Sequence, residues 1–234
     1  MKTFTLLKRG FSHENFCEDF VESWQKTGYT VAVVCDGCSS GKASHFAAHL
    51  QGKLIGKVLE KYALEGNVAD VSLFILEKWI EELKVFKLWA NFENEELLAT
   101  LILLVDDQQN SSVRVLGDGV VCINKQIEII DQNNAPDYAA FHLDDSKEEI
   151  LTYLRKQHFY VSNVENIAIS SDGIQSFMNR KKPTEPLPFD VVSYFLSDDF
   201  LINTNNMLQR KFNVLASQHQ LEAYDDLSMV RLIK

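Results

Sequence analysis

The spacing of apolar positions changes from block to block along the chain, and each spacing predicts a different element. Residues 1–8 and Asp19–Lys26 read as strands, and the Thr27-Gly28 turn leads from the second into a third at 29–35. That pair is a predicted hairpin, because the turn holds the glycine such a bend needs. Residues 43–62 have helical spacing, with Phe46, Leu50, Leu54 and Val58 on one stripe. Val68–Ala90 predicts a second long helix, with Val71, Phe74, Ile75, Trp79, Leu83, Phe86 and then Trp89 or Ala90 as its core face. Residues 97–105 are nearly all apolar, as in a strand buried on both faces. Short strands follow at 112–116, 120–124 and Gln126–Ile130, then a loop at 131–146 and an amphipathic helix at 147–157 capped from 144–146. Residues 159–164 and Asn166–Ser170 predict another hairpin, 189–196 and 204–218 two helices, and Leu227–Ile233 a last strand. Residues 180–188, with two lysines and three prolines, read as a solvated connection. Blocks of strands and helices joined by hairpin-length links imply an α+β fold with antiparallel sheets, in one domain over 1–234.

Composition narrows the classes. A chain of 234 residues, 46% apolar and 24% charged, is globular in make-up and long enough to bury roughly 70% of its unfolded surface. Its 33 acidic against 23 basic residues leave a net charge of −10, a field that repels nucleic acid and anionic membrane. The apolar runs are too short to span a bilayer and no targeting signal precedes residue 8, so the expectation is a soluble, cytoplasmic protein. Four cysteines do not make a disulfide framework. Oligomeric state is not legible.

The acidic surplus has a pattern. Apolar runs end in Asp36-Gly37 and Asp172-Gly173, Asp225-Asp226 precedes the last strand, Glu18-Asp19 opens the second, and Asp118 sits between two glycines. One Asp-Gly after a strand is usually only a turn. Several acidic strand ends in one sheet can converge, and convergent carboxylates repel unless a cation joins them. Oxygen-rich sites favour hard divalent ions, Mg²⁺ or Mn²⁺ rather than zinc. The glycine after Asp36 would let its carbonyl approach such an ion.

In order, Cys17-Glu18-Asp19, Asp36-Gly37, Ala99-Thr100, Gly117-Asp118-Gly119, Ser171-Asp172-Gly173 and Asp225-Asp226-Leu227-Ser228 resemble the motifs of the metal-dependent protein phosphatases of type 2C. Ser12-His13 and the Gly-Asp-Gly form resemble the bacterial branch. The resemblance implies a four-layer sandwich, two antiparallel sheets flanked by helix pairs, with two Mn²⁺ or Mg²⁺ ions at one end. It implies that Asp36 bridges the ions, Asp172 and Asp225 complete one shell, and Glu18 with the Gly37 carbonyl completes the other. Asp19 would orient metal-bound water, and a hydroxide between the ions would attack phosphoserine or phosphothreonine of a protein substrate in line.

The departures from that pattern are specific. Glu14 stands where eukaryotic members place a phosphate-binding arginine, leaving Arg9 or His13 as substitutes, with His13 the catalytic candidate. Cys38 stands where they place a histidine. Asp118 is the candidate for a third metal, but its usual partner position holds Ser176. An active phosphatase is therefore weighed against a catalytically weak, phosphatase-like binding or regulatory module, with a different metal-dependent hydrolase as a third reading. Cys35 and Cys38 have Cys-x-x-Cys spacing without two further ligands, so Cys35 reads as a buried side chain. His45 and His49 lack the glutamate of a zincin helix, and the pairs Asp106-Asp107, Asp144-Asp145 and Asp198-Asp199 read as caps and solvated turns.

Overall fold

The computed structural model describes residues 1–133 and 135–234. Strands β1 (Lys2–Lys8), β2 (Asp19–Lys26) and β3 (Tyr29–Gly37) are followed by helices α1 (Ser44–Lys61) and α2 (Val68–Ala90). Strands β4 (Ala99–Asp106), β5 (Asn110–Leu116), β6 (Gly119–Ile123) and β7 (Gln126–Ile130) come next. Helix α3 (Lys147–Leu154), β8 (Gln157–Ser162), β9 (Asn166–Ser170), β10 (Phe177–Asn179), α4 (Val191–Leu196), α5 (Met207–Val214), β11 (Leu221–Ala223) and β12 (Leu227–Ile233) complete the order. One five-stranded antiparallel sheet runs β1-β12-β9-β6-β7 and the other β2-β3-β4-β5-β8, with β10 and β11 paired separately.

The layers follow from side-chain alternation. In β3, Val31, Val33 and Cys35 pack against α1 and α2, while Ala32 and Val34 meet the opposite sheet. In β4, Leu101, Leu103 and Val105 face the helices, and Ile102 and Leu104 face Val121, Ile169 and Val230 across the sandwich. A strand covered on both faces has no polar side left, which is why this stretch is nearly unbroken apolar sequence. The outer face of the β12 sheet is covered by α4 and α5, through Phe195, Met207, Leu208 and Leu215 against Cys122, Ala168 and Met229. The fold is α+β in four layers, helices, sheet, sheet, helices, as the sequence implied.

Three expectations need correction. Strands β8 and β9 are not a hairpin: β8 pairs with β5 at the edge of one sheet, and β9 lies between β6 and β12 in the other. Every residue of β9 is buried, whereas the more exposed Gln157–Ser162 suits an edge, so segregation by burial sends the two strands to different sheets. The α2 stripe does not stay in the core to its end. Trp79 is fully buried and its Nε1–H donates to Gln51 O, but Trp89 is 80% exposed because the buried face of α2 ends at Leu83. Asp106 is no solvated turn acid either; it is buried and accepts from the Ser111 hydroxyl and the Gln108 amide, with Lys234 at 3.1 Å.

Smaller differences lie at element ends. Helix α3 stops at Leu154 because Gln157 already pairs with Val115. The helix expected over 204–218 starts at Met207 and ends in a wider turn at Leu215–His219. Strands β10 and β11, three residues each, are too short for periodicity to reveal. Of the loop expected at 131–146, residue 134 lies outside the described residues, and Ala139–His142 forms a helical turn. No helix among the described residues is long and apolar enough to cross a membrane.

Candidate metal centre

The β2–β3 hairpin builds the floor of the site. Its tight turn at Gly28 (φ +82°) sets a register in which Asp19 lies directly opposite Asp36, with Thr100 of β4 opposite Asp36 on the other side. Two carboxylates on opposed positions would repel if both were ionised. Gly37 ends β3 with its N–H donating to Glu18 O at 3.0 Å. A Cβ there would lie 2.1 Å from Ser44 O and 2.9 Å from Glu18 O, so only glycine lets these three backbones meet.

The second sheet supplies the other acids. Strand β9 ends at Ser170, and Asp172 follows in a short helical turn over Asp172–Gln175. Asp225 and Asp226 precede β12, which is hydrogen-bonded to β9. The two turns touch: a Cβ on Gly173 would sit 1.7 Å from Asp226 O. The Ser176 hydroxyl accepts from the Asp225 N–H at 3.0 Å and itself donates to Gly173 O at 2.7 Å. Ser171 then ties the two sheets together, its hydroxyl donating to Asp19 Oδ2 at 2.7 Å and accepting from Ser228 N at 3.1 Å.

The structure thus brings Glu18, Asp19, Asp36, Asp172 and Asp225 to one end of the sandwich. Burial and the charges of Asp19, Asp172 and Asp225 hold the Asp36 carboxyl well above the usual carboxylate range. Burial, with Asp226 adding to it, pushes Asp19 up to about 7 against the hydroxyls of Ser228 and Ser171. Asp225 is also raised, by burial and by Asp172 and Asp226, with His13 opposing. A cleft of about 280 Å³ opens beside these acids, lined by Asp118, Asp131, Asp172, Ser176 and Asp225. Asp118 accepts from Gln132 N at 2.9 Å, and burial, then Asp131 and Asp172, raise its carboxyl.

Ser171→Ala tests the clamp on Asp19. The hydroxyl favours the charged carboxylate, so its loss raises the Asp19 value further. The stability cost is about 1–2 kcal/mol where Asp19 is ionised in the parent and smaller where it is protonated. Urea melts should therefore separate variant and parent more at pH 8.5 than at pH 5.5; equal separation would contradict the assignment.

His13 also lies beside these acids, with its side chain 19% exposed. Its Nδ1 is 2.7 Å from Asp226 Oδ2, and its Nε2 lies 3.6 Å from Asp225 Oδ1 and 3.9 Å from Glu18 Oε2. Burial pulls its value down, but Asp226, Glu18 and Asp225 outweigh that and leave it raised. Asp226, to which the sequence motif attached no role, is buried and also accepts from Gly10 N at 2.6 Å and from Glu18 N. Asp131 was equally unmarked, since it reads as an ordinary loop acid. Arg9 is spent on the loop, its Nη1 donating to Glu14 O at 2.7 Å.

The other candidates lie elsewhere or have local partners. Cys35 is buried in β3, and Cys38 stands 3.1 Å from the Ser40 hydroxyl. His45 stacks on Phe16, and His49 Nδ1 bonds to His45 O.

A divalent ion fits this donor set. Glu18 Oε2 and Asp19 Oδ1 are buried without a hydrogen-bond partner, an expensive condition unless something positive meets them. The side chains are oxygen donors of the kind hard ions prefer. Among the described residues, no three such groups already converge as the ligands of one ion.

The sequence matches the family model described as protein phosphatase 2C over residues 9–218. No curated protein matches it. Among solved structures, serine/threonine phosphatase Stp1 from Staphylococcus aureus is similar at a TM-score of 0.63 and 14% identity, over 99% of this chain and 94% of that one. The S. agalactiae serine/threonine phosphatase aligns at 0.63 and 11% identity, over 100% and 99% of the two chains. A bacterial serine phosphatase aligns at 0.62 and 15% identity, over 99% and 96%. These likenesses show the fold, and the family match over most of the length shows the rest: the chain belongs to the protein phosphatase 2C family.

Proposed function

We propose that the chain, acting as one catalytic domain, hydrolyses phosphoserine and phosphothreonine in protein substrates with two divalent ions, Mn²⁺ or Mg²⁺. The observation that supports this reading is that Asp19, Asp172 and Asp225 lie close enough to Asp36 to raise its carboxyl, beside a cleft lined by Asp118, Asp131, Asp172 and Asp225. A phosphate dianion would be repelled by that cleft, so catalysis there requires bound cations. Asp36 would be shared by the two ions, Asp172 and Asp225 would serve one, and Glu18 with the Gly37 carbonyl the other. The ions would neutralise phosphoryl oxygens and lower the pKa of water, which removes the need for a covalent nucleophile.

The chain's own residues would do the positioning. Asp19, held by Ser171 and facing Asp36 across the β2–β3 pair, would orient a nucleophilic water. Asp118 and Asp131 border the cleft as candidates for a third ion. A cytoplasmic setting belongs to the same reading.

The test is hydrolysis of p-nitrophenyl phosphate and of a phosphothreonine peptide, with and without millimolar Mn²⁺. Manganese-dependent turnover of both is expected. Peptide binding without turnover would replace this reading with the phosphatase-like binding module.

A further inference from the structure

We propose that Arg180 is a specificity-determining contact on the rim of this site, selecting phosphoprotein substrates that carry an acidic residue about four positions from the phosphorylated one. The inference rests on the phosphatase reading above and adds a substrate class to it.

Arg180 opens a stretch that reads as a solvated connection, yet its place is set by the acidic site. Ser176 borders the cleft and is tied to the turn that bears Asp225. Its hydroxyl accepts from Asp225 N at 3.0 Å, and its carbonyl accepts from Tyr224 N at 3.1 Å. Strand β10 runs from there to Asn179, paired with β11 from Phe177 opposite Ala223 to Asn179 opposite Leu221. The Asn179 side chain then accepts from Lys181 N at 3.0 Å, and its carbonyl accepts from Lys182 N at 3.0 Å. Those bonds fix a turn directly after the strand, so Arg180 is carried at a set distance from Asp225.

The guanidinium is held as well. It lies over the Phe11 ring at 5.2 Å, and Phe11 meets the Tyr224 ring edge-on with centroids 5.2 Å apart. Phe11 N donates to Ala223 O and Ser12 N to Tyr224 O, so the segment leading to His13 lines the same rim. Phe11 and the half-exposed Tyr224 thus form an aromatic floor between Asp225 and Arg180. A planar cation stacked on an aromatic face keeps the donors on its edge open to a carboxylate.

Charge identifies what those donors meet. In a chain of net charge −10, Arg180, Lys181 and Lys182 are consecutive. Lys182 is paired with Glu185 at 2.8 Å. The Glu222 carboxylate stands 3.7 Å from Arg180 Nη1, too long for a hydrogen bond, and the two side chains are 45% and 64% exposed. Such an exposed pair is weak and is readily exchanged for a better-placed carboxylate. A hollow of about 570 Å³, bounded in part by Asn179, Arg180, Lys181 and Glu222, has room for one. Arg180 follows Ser176 by four residues. At about 3.3 Å per residue of extended chain that is roughly 13 Å, which an extended substrate spans in about four residues.

The test compares p-nitrophenyl phosphate with phosphothreonine peptides at saturating Mn²⁺. The peptides carry Glu or Gln four positions before, or four positions after, the phosphothreonine. The parent should favour Glu over Gln about 5-fold in kcat/KM in one of the two directions, through KM rather than kcat. Roughly 0.5 M NaCl should narrow that preference by screening. Arg180→Ala should abolish it and Arg180→Glu should reverse it, with turnover of p-nitrophenyl phosphate unchanged in both. Equal use of the Glu and Gln peptides by the parent, a preference for Gln, or a preference for Glu that survives Arg180→Ala overturns the role of Arg180 and leaves the phosphatase reading standing. A parent protein that turns over neither p-nitrophenyl phosphate nor any peptide overturns that reading together with this one.

Discussion

Asp36→Asn should abolish Mn²⁺-dependent hydrolysis of p-nitrophenyl phosphate and, in the metal-free protein at pH 8, raise the melting temperature. The loss of activity follows from the central place of Asp36 on β3, opposite Asp19 of the neighbouring β2 and within the field of Asp172 and Asp225. Removing the one carboxylate proposed to serve both ions forfeits several kcal/mol of charge stabilisation, on the order of 10³-fold or more in rate.

The gain in stability has the opposite electrostatic origin. The Asp36 carboxyl is raised well above its unfolded value by burial and neighbouring acids. Its contribution to stability is fully present below the unfolded value and is lost as pH rises toward the folded one. Asparagine never ionises, so the advantage of the variant should be small near pH 5 and grow toward pH 8. An advantage of about 2 kcal/mol would appear as roughly 4–8 °C in a chain of this size. Melting curves of metal-free parent and variant at both values, followed by Mn²⁺ titration, measure it. Mn²⁺ should stabilise the parent, by about 2.7 kcal/mol at a hundred times its Kd, and the variant far less. Turnover that persists in Asp36→Asn would remove the assigned centre.

Gly173→Ala is the second large effect. The added Cβ would fall 1.7 Å from Asp226 O, a backbone atom that no rotamer change can move aside. The turn bearing Asp172 or the turn bearing Asp225 and Asp226 must shift, and Asp226 in turn holds His13 and the Glu18 amide. One methyl group therefore disturbs both halves of the site. The expected cost is about 3 kcal/mol or more, seen as a fall of roughly 6–12 °C in melting temperature. Mn²⁺ affinity should fall with it. A variant that melts and binds Mn²⁺ like the parent would show that the two turns are not coupled.

Much of this arrangement was legible in the chain. The apolar runs at β3 and β9 announced short buried strands and that at β4 one buried on both faces, and the acids just past the β3 and β9 runs marked a common end. Short acid-glycine motifs in order were enough to indicate the family and the candidate oxygen ligands. The shape of the ring was not legible. Asp226 looked like a neighbour of Asp225 rather than the acceptor for His13, Gly10 and Glu18, and Ser171 looked like part of a turn rather than the clamp on Asp19. Asp131 carried no signal separating it from other loop acids. Trp89 followed the helical period of a core residue yet lies beyond the part of α2 that meets other layers.

The division has a physical cause. Periodicity and turn chemistry report what each segment does with its own side chains over a few residues, so the sequence by itself determined the order of the longer elements, the burial of the central strands and the acidic strand ends. Only the tertiary structure decided which sheet β8 and β9 join, because that choice depends on where buried and half-exposed strands can both be accommodated. It alone also decided the contacts of the site. Ser171 and Asp19 are 152 positions apart and His13 and Asp226 are 213 apart, and no local pattern encodes a hydrogen bond across such a span.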